Sequence, residues 1–187
     1  MATSFDAYVP TLLYWETGVK TTGLSGPTAF EKSRAKGFVN DPDDKGGATQ
    51  SGVTLGTFRS VFGASKTVSD LKNITYAQWR YIMKRYWDAC KADQLNNQSV
   101  AEIFVDWNIN AGNAAIRRLQ RDLGLKDDGI VGNKTLAALN ASPQKTVFDK
   151  VKNSRVAYYN KIVVNNPSQK KFLAGWLSRV NSFTFSI

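Results

Sequence analysis

The segment from Gly37 to Thr54, GFVNDPDDKGGATQSGVT, constrains the fold of this chain more than any other stretch. It holds glycines at 37, 46, 47 and 52, together with Pro42 and a cluster of Asn and Asp residues. This is the composition of tight turns, and it interrupts a helical pattern. We therefore predict a turn-rich segment here, with a small β-hairpin beside a helical body.

Apolar side chains on both sides of this segment recur at helical spacing. From residue 5 they follow the i, i+3, i+4, i+7, i+8 pattern of an amphipathic helix, which ends at Glu16 because Thr17-Gly18 is a stop signal. Residues 19–36 are rich in Gly, Thr, Ser and Lys and predict a loop with room for one short helical turn. Further on, Thr75 with Gln78 and Ser99 with Glu102 have the spacing of capping boxes. The chain is therefore expected to be mainly α.

Composition excludes several kinds of catalytic site. The 187 residues contain no histidine, which removes Ser-His-Asp triads, Cys-His pairs and histidine zinc sites. The single cysteine, Cys90, permits no intramolecular disulfide and lies on an apolar helical stripe, so we expect it in the core. An enzyme of this composition has to use carboxylates for acid–base chemistry.

Charge and hydropathy limit the partners and the location. Lys and Arg total 25 against 15 Asp and Glu, so the net charge is +10, which favours an anionic partner such as a cell wall, nucleic acid or anionic lipid. No apolar run spans a bilayer, and the N-terminus lacks the pattern of a secretory signal. We expect a protein made in the cytoplasm without an evident signal peptide, with no stable membrane insertion.

Glu16 is the first candidate for chemistry. It ends an apolar helix, beside Trp15 and shortly before the glycine-rich segment. The negative end of the helix and apolar neighbours disfavour a charged carboxylate there, which suits a general acid for glycoside cleavage. A surface glutamate at a frayed helix end is the alternative.

The acidic turn NDPDDKGGAT is the second candidate. A calcium loop of the EF-hand type needs acidic or Asn ligands at positions 1, 3 and 5 and Glu at position 12. Counting from Asp41 places Lys45 at position 5 and Gly52 at position 12, so that pattern fails. We predict no metal and no cofactor, and a solvated turn remains the alternative.

These two segments together resemble the N-terminal signature of the bacterial and phage N-acetylmuramidases of glycoside hydrolase family 108. The helix ending in LLYWETG, followed by GFVNDPDDKGGATQSGVT, is similar to the family's pattern, with residues 19–36 as an apparent insertion. Asp106 to Gly112 (DWNINAG), Ala115 to Ala141 and Gly175 to Val180 resemble its later motifs, including a C-terminal peptidoglycan-binding segment. The resemblance implies a mainly α, lysozyme-like α+β fold with a small β-hairpin or glycine-rich active-site loop.

The resemblance also implies roles for residues. Glu16 would protonate the glycosidic oxygen, Asp44 would stabilise the oxocarbenium-like transition state or help to activate water, and Thr49 would position that water. Glu31 is the rival acid, because it lies inside the insertion and nearer the acidic turn. Glu16 is the acid only if residues 19–36 loop out and let Gly18 and Gly37 approach each other.

Substrate contacts are predicted at Asp41, Asp106 and Asn110. The last two lie at i and i+4 on one helical face, where they would line the sugar groove or brace Glu16. Alternatively they hydrogen-bond each other or cap the next segment. Asp41 could equally be a turn-former.

For the whole chain we predict a lysozyme-like catalytic region at residues 1–112, with 19–36 as the insertion. A helical peptidoglycan-binding region at 113–187 is expected to pack on it as one compact unit. The expected partner is the glycan strands of peptidoglycan, met in the periplasmic or extracellular wall by a monomer that binds no nucleic acid. A lysozyme-like protein that holds peptidoglycan without cutting it is the alternative, and a nucleic-acid binder, suggested by charge alone, is a third.

Overall fold

The computed structural model describes residues 3–40 and 47–187. Helices dominate, and the described residues contain a small antiparallel sheet of order β1-β2-β3. The first half comprises α1 (Phe5–Thr17), α2 (Gly26–Gly37), β1 (Phe38–Val39), β2 (Thr49–Gln50), β3 (Val53–Thr54), α3 (Leu55–Phe62), α4 (Val68–Lys72) and α5 (Tyr76–Ala89). The second half comprises α6 (Gln98–Ala111), α7 (Asn113–Asp122), α8 (Asn133–Leu139), α9 (Gln144–Asn165) and α10 (Lys170–Ser182), with short 3-10 turns at Ala92–Gln94 and Pro167–Gln169. The prediction of a mainly α chain with a small hairpin is confirmed.

The chain divides into two compact units. One is Phe5–Arg85, and the other is Tyr86–Ile187 with the residues that precede Phe5. The predicted division at residue 112 is a different boundary and stays a prediction. Among the described helices, none combines the length and the apolar character that a bilayer crossing needs.

α1 organises the first unit. The apolar positions that predicted this helix are its buried face: Phe5, Tyr8, Val9, Leu12 and Leu13. The helix ends as expected, because Gly18 has a φ of 71° and its amide donates to the carbonyl of Tyr14 at 2.8 Å. A left-handed residue after the last turn satisfies carbonyls that the helix leaves open, and glycine adopts it without strain.

The prediction of a loop over residues 19–36 is wrong for its second half, which forms α2. Ser25 accepts a hydrogen bond from the amide of Thr28 and Pro27 lies in the first turn, which is a regular start for a helix. Phe30 is fully buried and packs on Tyr76 and Trp79, with ring centroids 5.7 and 5.5 Å away. The polar composition hid this helix, because its stability comes from one narrow apolar face that only tertiary packing provides.

α6 organises the second unit, since most of its length is buried. Its side chains without exposure include Val100, Ile103, Phe104 and Trp107. The predicted capping box of Ser99 with Glu102 is wrong, because the helix starts earlier. Asn97 caps it by accepting from the amide of Val100 at 3.2 Å, and Glu102 accepts from the side chain of Gln98 at 2.8 Å.

Candidate active site

The hairpin of β2 and β3 turns at Ser51-Gly52. Gln50 pairs with Val53, so two residues make the turn. Both have positive φ, 47° for Ser51 and 82° for Gly52, which is the type I′ geometry that matches the twist of a two-residue hairpin. Glycine adopts this region freely, whereas serine is strained there.

Ser51 tolerates this backbone because it is held from several sides. Its amide donates to the carbonyl of Gly37 at 2.8 Å, and its carbonyl accepts from the indole nitrogen of Trp79 at 2.9 Å. Its hydroxyl contacts the α-carbon of Gly37, where any side chain would collide with it. Ser51 and Trp79 are both fully buried, so the turn is anchored in the core of its unit.

Glu16 lies against the exposed side of this turn. A Cβ on Gly52 would stand 2.6 Å from Oε2 of Glu16 and 2.8 Å from its Cδ, distances that real Cβ atoms do not show. Glu16 is half-buried and Gly52 is exposed. The carboxyl therefore rests on a backbone surface that only glycine provides, at the edge of the unit where a ligand can reach it.

The ends of the apparent insertion return to each other. A Cβ on Gly37 would stand 3.2 Å from the methyl group of Thr17, so the end of α2 lies against the end of α1. Residues 19–36 thus loop away after α1 and return beside the end of that helix. This is the condition that the choice of Glu16 required. Glu31 lies on the outer side of α2, with 60% of its side chain exposed and Arg34 at 3.4 Å.

Thr49 lies on β2 of the same hairpin, half-buried and paired across the strands with Thr54 and Val39. The same four-residue stretch of this hairpin therefore holds Thr49, the predicted water-positioning residue, and Gly52, the residue that contacts Glu16. Asp41 and Asp44, the other two predicted residues of this region, lie outside the described residues.

Asp106 is placed in the interior of the second unit. Its side chain is completely buried, with Oδ1 at 2.5 Å from Arg155 and Oδ2 at 2.7 Å from Arg179. Enclosed in this way, it ties α6 to α9 and α10 and offers no surface to a sugar. Asn110 is exposed, and its side-chain amide donates to the backbone carbonyl of Asp106 at 2.9 Å, so the carboxylate of Asp106 takes no part in this bond.

Glu102 is a further carboxylate with an unusual environment. Burial raises its pKa above the ordinary value, the charge of Asp106 one turn later raises it further, and the hydrogen bond from Gln98 partly opposes both.

The thiol of Cys90 has a raised pKa as well, because it is buried in the core as predicted. A thiol in that environment is inert.

Sequence reasoning missed Gly52 as the residue under Glu16 and Ser51 as the anchored half of the turn. The Ser-Gly dipeptide, with a β-branched residue close on either side at Thr49 and Val53, is itself a turn signal and could have placed the hairpin. The hydrogen bond from Trp79 could not have been predicted, because 28 residues separate it from Ser51.

Comparisons with known proteins agree with this architecture. Residues 33–112 match the family model described as glycosyl hydrolase 108, and residues 114–181 match the model described as "Predicted Peptidoglycan domain". The first match begins after Glu16 and Glu31, so the choice between them depends on geometry. Eleven chains of solved structures match, among them the structure of Brucella abortus SagA, at 26% identity and a TM-score of 0.62 over 78% of this chain and 86% of that one. A search of curated proteins finds no match.

Proposed function

We propose that this chain, whose residues 33–112 match the glycosyl hydrolase 108 family, uses Glu16 as the general acid for cleavage of the glycan strand. The chain is a peptidoglycan hydrolase that acts on the cell wall, as its two matched regions show. The finer statement concerns the bond and the residues. The proposed bond is the muramic acid–glucosamine linkage, as in N-acetylmuramidases.

The observation that carries this proposal is the contact between Glu16 and Gly52. A sugar alkoxide is a poor leaving group, so cleavage near neutral pH needs a proton donor within hydrogen-bond reach of the glycosidic oxygen. Glu16 is fixed at a helix end and against a rigid hairpin turn, so its carboxyl has little freedom to move. Fixed positioning of this kind is what acid catalysis requires.

Thr49 and Asp44 complete the proposed site. Thr49 belongs to the hairpin that supports Glu16, which favours its role in holding the attacking water. Asp44 lies outside the described residues, and its assignment as the second carboxylate follows from the family pattern. Asn110 stays a proposed substrate contact.

For Asp106 we propose a different role from substrate binding, because its carboxylate is enclosed by two arginines. It would keep α6, α9 and α10 in place. The expectation that the chain acts as a monomer, without nucleic acid and without stable membrane insertion, stays a prediction.

The test compares Glu16→Gln with Glu31→Gln. Glutamine keeps the size of the side chain and removes the proton that catalysis needs. We expect Glu16→Gln to lower the rate of release of reducing sugar from purified sacculi by at least about 100-fold with an unchanged circular dichroism spectrum, and Glu31→Gln to stay close to wild type. The reverse result would make Glu31 the acid.

Mass spectrometry of the released muropeptides identifies the reaction. Hydrolysis of the proposed bond leaves reducing N-acetylmuramic acid ends. Anhydro ends would indicate a lytic transglycosylase, and reducing N-acetylglucosamine ends would indicate cleavage of the other linkage.

A further inference from the structure

The second unit contains a groove of about 280 Å³ between α7 and α9. Three arginines from α7 and one lysine from α9 line it: Arg117, Arg118, Arg121 and Lys161. We refer to it as the basic groove. None of these residues belongs to the hairpin site of Glu16, which lies in the other unit.

The cations of α7 are held in place by the turn that follows this helix. Arg121 donates from Nε to the carboxylate of Asp127 at 3.1 Å, and Arg117 donates to the backbone carbonyl of the same residue at 3.0 Å. Each bond uses one of the five N–H groups of a guanidinium. The two arginines are therefore oriented and keep donors for a ligand.

Arg118 is fixed in a similar way, through an ion pair with Asp122 at 2.8 Å that is largely shielded from solvent. The four cations of the basic groove thus face two carboxylates, Asp122 and Asp127. Positive charge remains in excess, so an anion entering the groove is attracted. A planar guanidinium favours carboxylate or phosphate, which it binds through two parallel hydrogen bonds.

Tyr158 and Ile162 give the basic groove an apolar wall. The ring of Tyr158 is fixed by edge-on contacts with Trp107 and Tyr159, at centroid distances of 5.7 and 5.6 Å. Burial, with a contribution from neighbouring Tyr159, raises the pKa of Tyr158, so its phenol stays protonated and can donate a hydrogen bond. The combination of cations with an apolar wall suits a short, carboxylated and partly apolar ligand.

Peptidoglycan offers such a ligand beside its glycan strand. Where a stem peptide is attached, the carboxyl of muramic acid is taken up in the amide bond, so the substituted strand is neutral and gives four cations nothing to neutralise. The stem peptides attached to it carry free carboxylates and methyl side chains. A groove of about 280 Å³ has room for a short piece of peptide.

We propose that the basic groove binds the free carboxylates of peptidoglycan stem peptides and so anchors the protein to the wall. This site rests on peptidoglycan being the substrate, but not on Glu16 being the acid. It gives the second unit a ligand, the stem peptide, that is chemically different from the glycan strand.

The binding test uses soluble ligands that do not contain the bond that the enzyme is proposed to cleave. Calorimetric titration with the disaccharide–tetrapeptide of the wall is compared with the same compound after its peptide carboxylates are converted to primary amides. We expect the amidated compound to bind at least about 10-fold more weakly. Equal affinity for the two would overturn the proposal.

Two charge reversals on α9 provide a matched pair. Lys161 lines the basic groove, and Lys150 is an exposed lysine three helical turns earlier on the same side of α9. The rise of 11 residues separates them by about 16 Å, which exceeds a Debye length of about 8 Å at physiological salt. We expect Lys161→Glu to weaken disaccharide–tetrapeptide binding at least about 10-fold and Lys150→Glu to leave it unchanged.

Equal losses in both lysine variants would show general charge attraction and overturn the proposal. The double variant Arg117→Gln/Arg121→Gln should show the same loss as Lys161→Glu. Stronger competition by polyphosphate or duplex DNA than by the disaccharide–tetrapeptide would assign the groove to phosphates instead.

Catalysis is followed separately, on glycan strands stripped of their peptides. Lys150→Glu should keep the wild-type rate on this substrate and on intact sacculi, whereas Lys161→Glu should lose activity on intact sacculi. If wild type cuts neither substrate, the proposed catalytic function fails, whereas the titration still decides the fate of the basic groove.

Discussion

The carboxyl group of Glu16 rests on the α-carbon of Gly52, where a methyl group would stand 2.6 Å from Oε2. The contact joins a helix end to a hairpin turn that is 36 positions away in the chain. Because Trp79 anchors this turn, the position of the Glu16 carboxyl depends on the core of its unit. Residues that never contact the substrate should therefore influence catalysis.

Replacing Gly52 with alanine should lower activity by more than it lowers stability. The positive φ of 82° makes alanine strained, at a cost of about 1–2 kcal/mol, and its methyl group would push the carboxyl of Glu16 out of place. We expect a loss of about 100-fold in the rate on sacculi for the folded variant, measured below its unfolding transition.

Gly23→Ala is the matched control for that variant. Gly23 has a φ of 79°, almost the same strain, but no atom within 4 Å of the position of a Cβ. It should lose similar stability and keep its activity. If both variants lose activity equally, backbone strain and not the displacement of Glu16 is the cause.

Thr49→Val tests the role of the hairpin hydroxyl. Valine keeps the shape and the preference for a strand, so the sheet should form and the midpoint of thermal unfolding should change little. We expect the rate constant for turnover to fall by about 10-fold to 100-fold, because the water loses the group that orients it. Thr22→Val, at an exposed loop position, should have no effect, and a fully active Thr49→Val would remove this residue from the site.

Asp106→Asn should be among the most destabilising single changes in the second unit. It leaves Arg155, fully buried, and Arg179, largely buried, without their counter-charge, which costs about 3–5 kcal/mol in comparable buried pairs. Urea unfolding measures the loss. Asp149→Asn removes an exposed ion pair with Lys145 and should cost less than about 1 kcal/mol. Near-equal losses would contradict the structural role of Asp106.

Glu102 should make the protein less stable as pH rises. Burial, and then Asp106, raise its pKa, so the folded state holds the proton more tightly than the unfolded chain does. Its contribution is fully present below the ordinary value of 4.5 and is lost as pH rises through the raised pKa. Glu102→Gln should therefore be more stable than wild type at pH 7 and no more stable at pH 3.5.

Denaturant titrations at both pH values check this expectation, with Glu31→Gln as the exposed control. A stability difference between Glu102→Gln and wild type that is the same at pH 3.5 and pH 7 would show that packing and not ionisation is responsible.

Much of the first unit follows from local sequence. The apolar periodicity of α1 and its stop at Thr17-Gly18 are properties of neighbouring residues, and they placed Glu16 at a helix end. The glycines of the segment 37–54 likewise required turns, because only glycine adopts positive φ without strain. The capping box of Thr75 with Gln78 formed as predicted, since its partners are three residues apart.

Tertiary structure decided the features that depend on distant partners. α2 forms in a polar stretch because Phe30 finds Tyr76 and Trp79, and Asp106 becomes an interior brace because Arg155 and Arg179 reach it from other helices. The basic groove combines residues of α7 and α9 whose charges look scattered along the chain. Sequence alone thus named Glu16, with Glu31 as its rival, as the candidate acid. Only the folded chain decided what holds it, because burial and long-range contacts depend on which elements pack together.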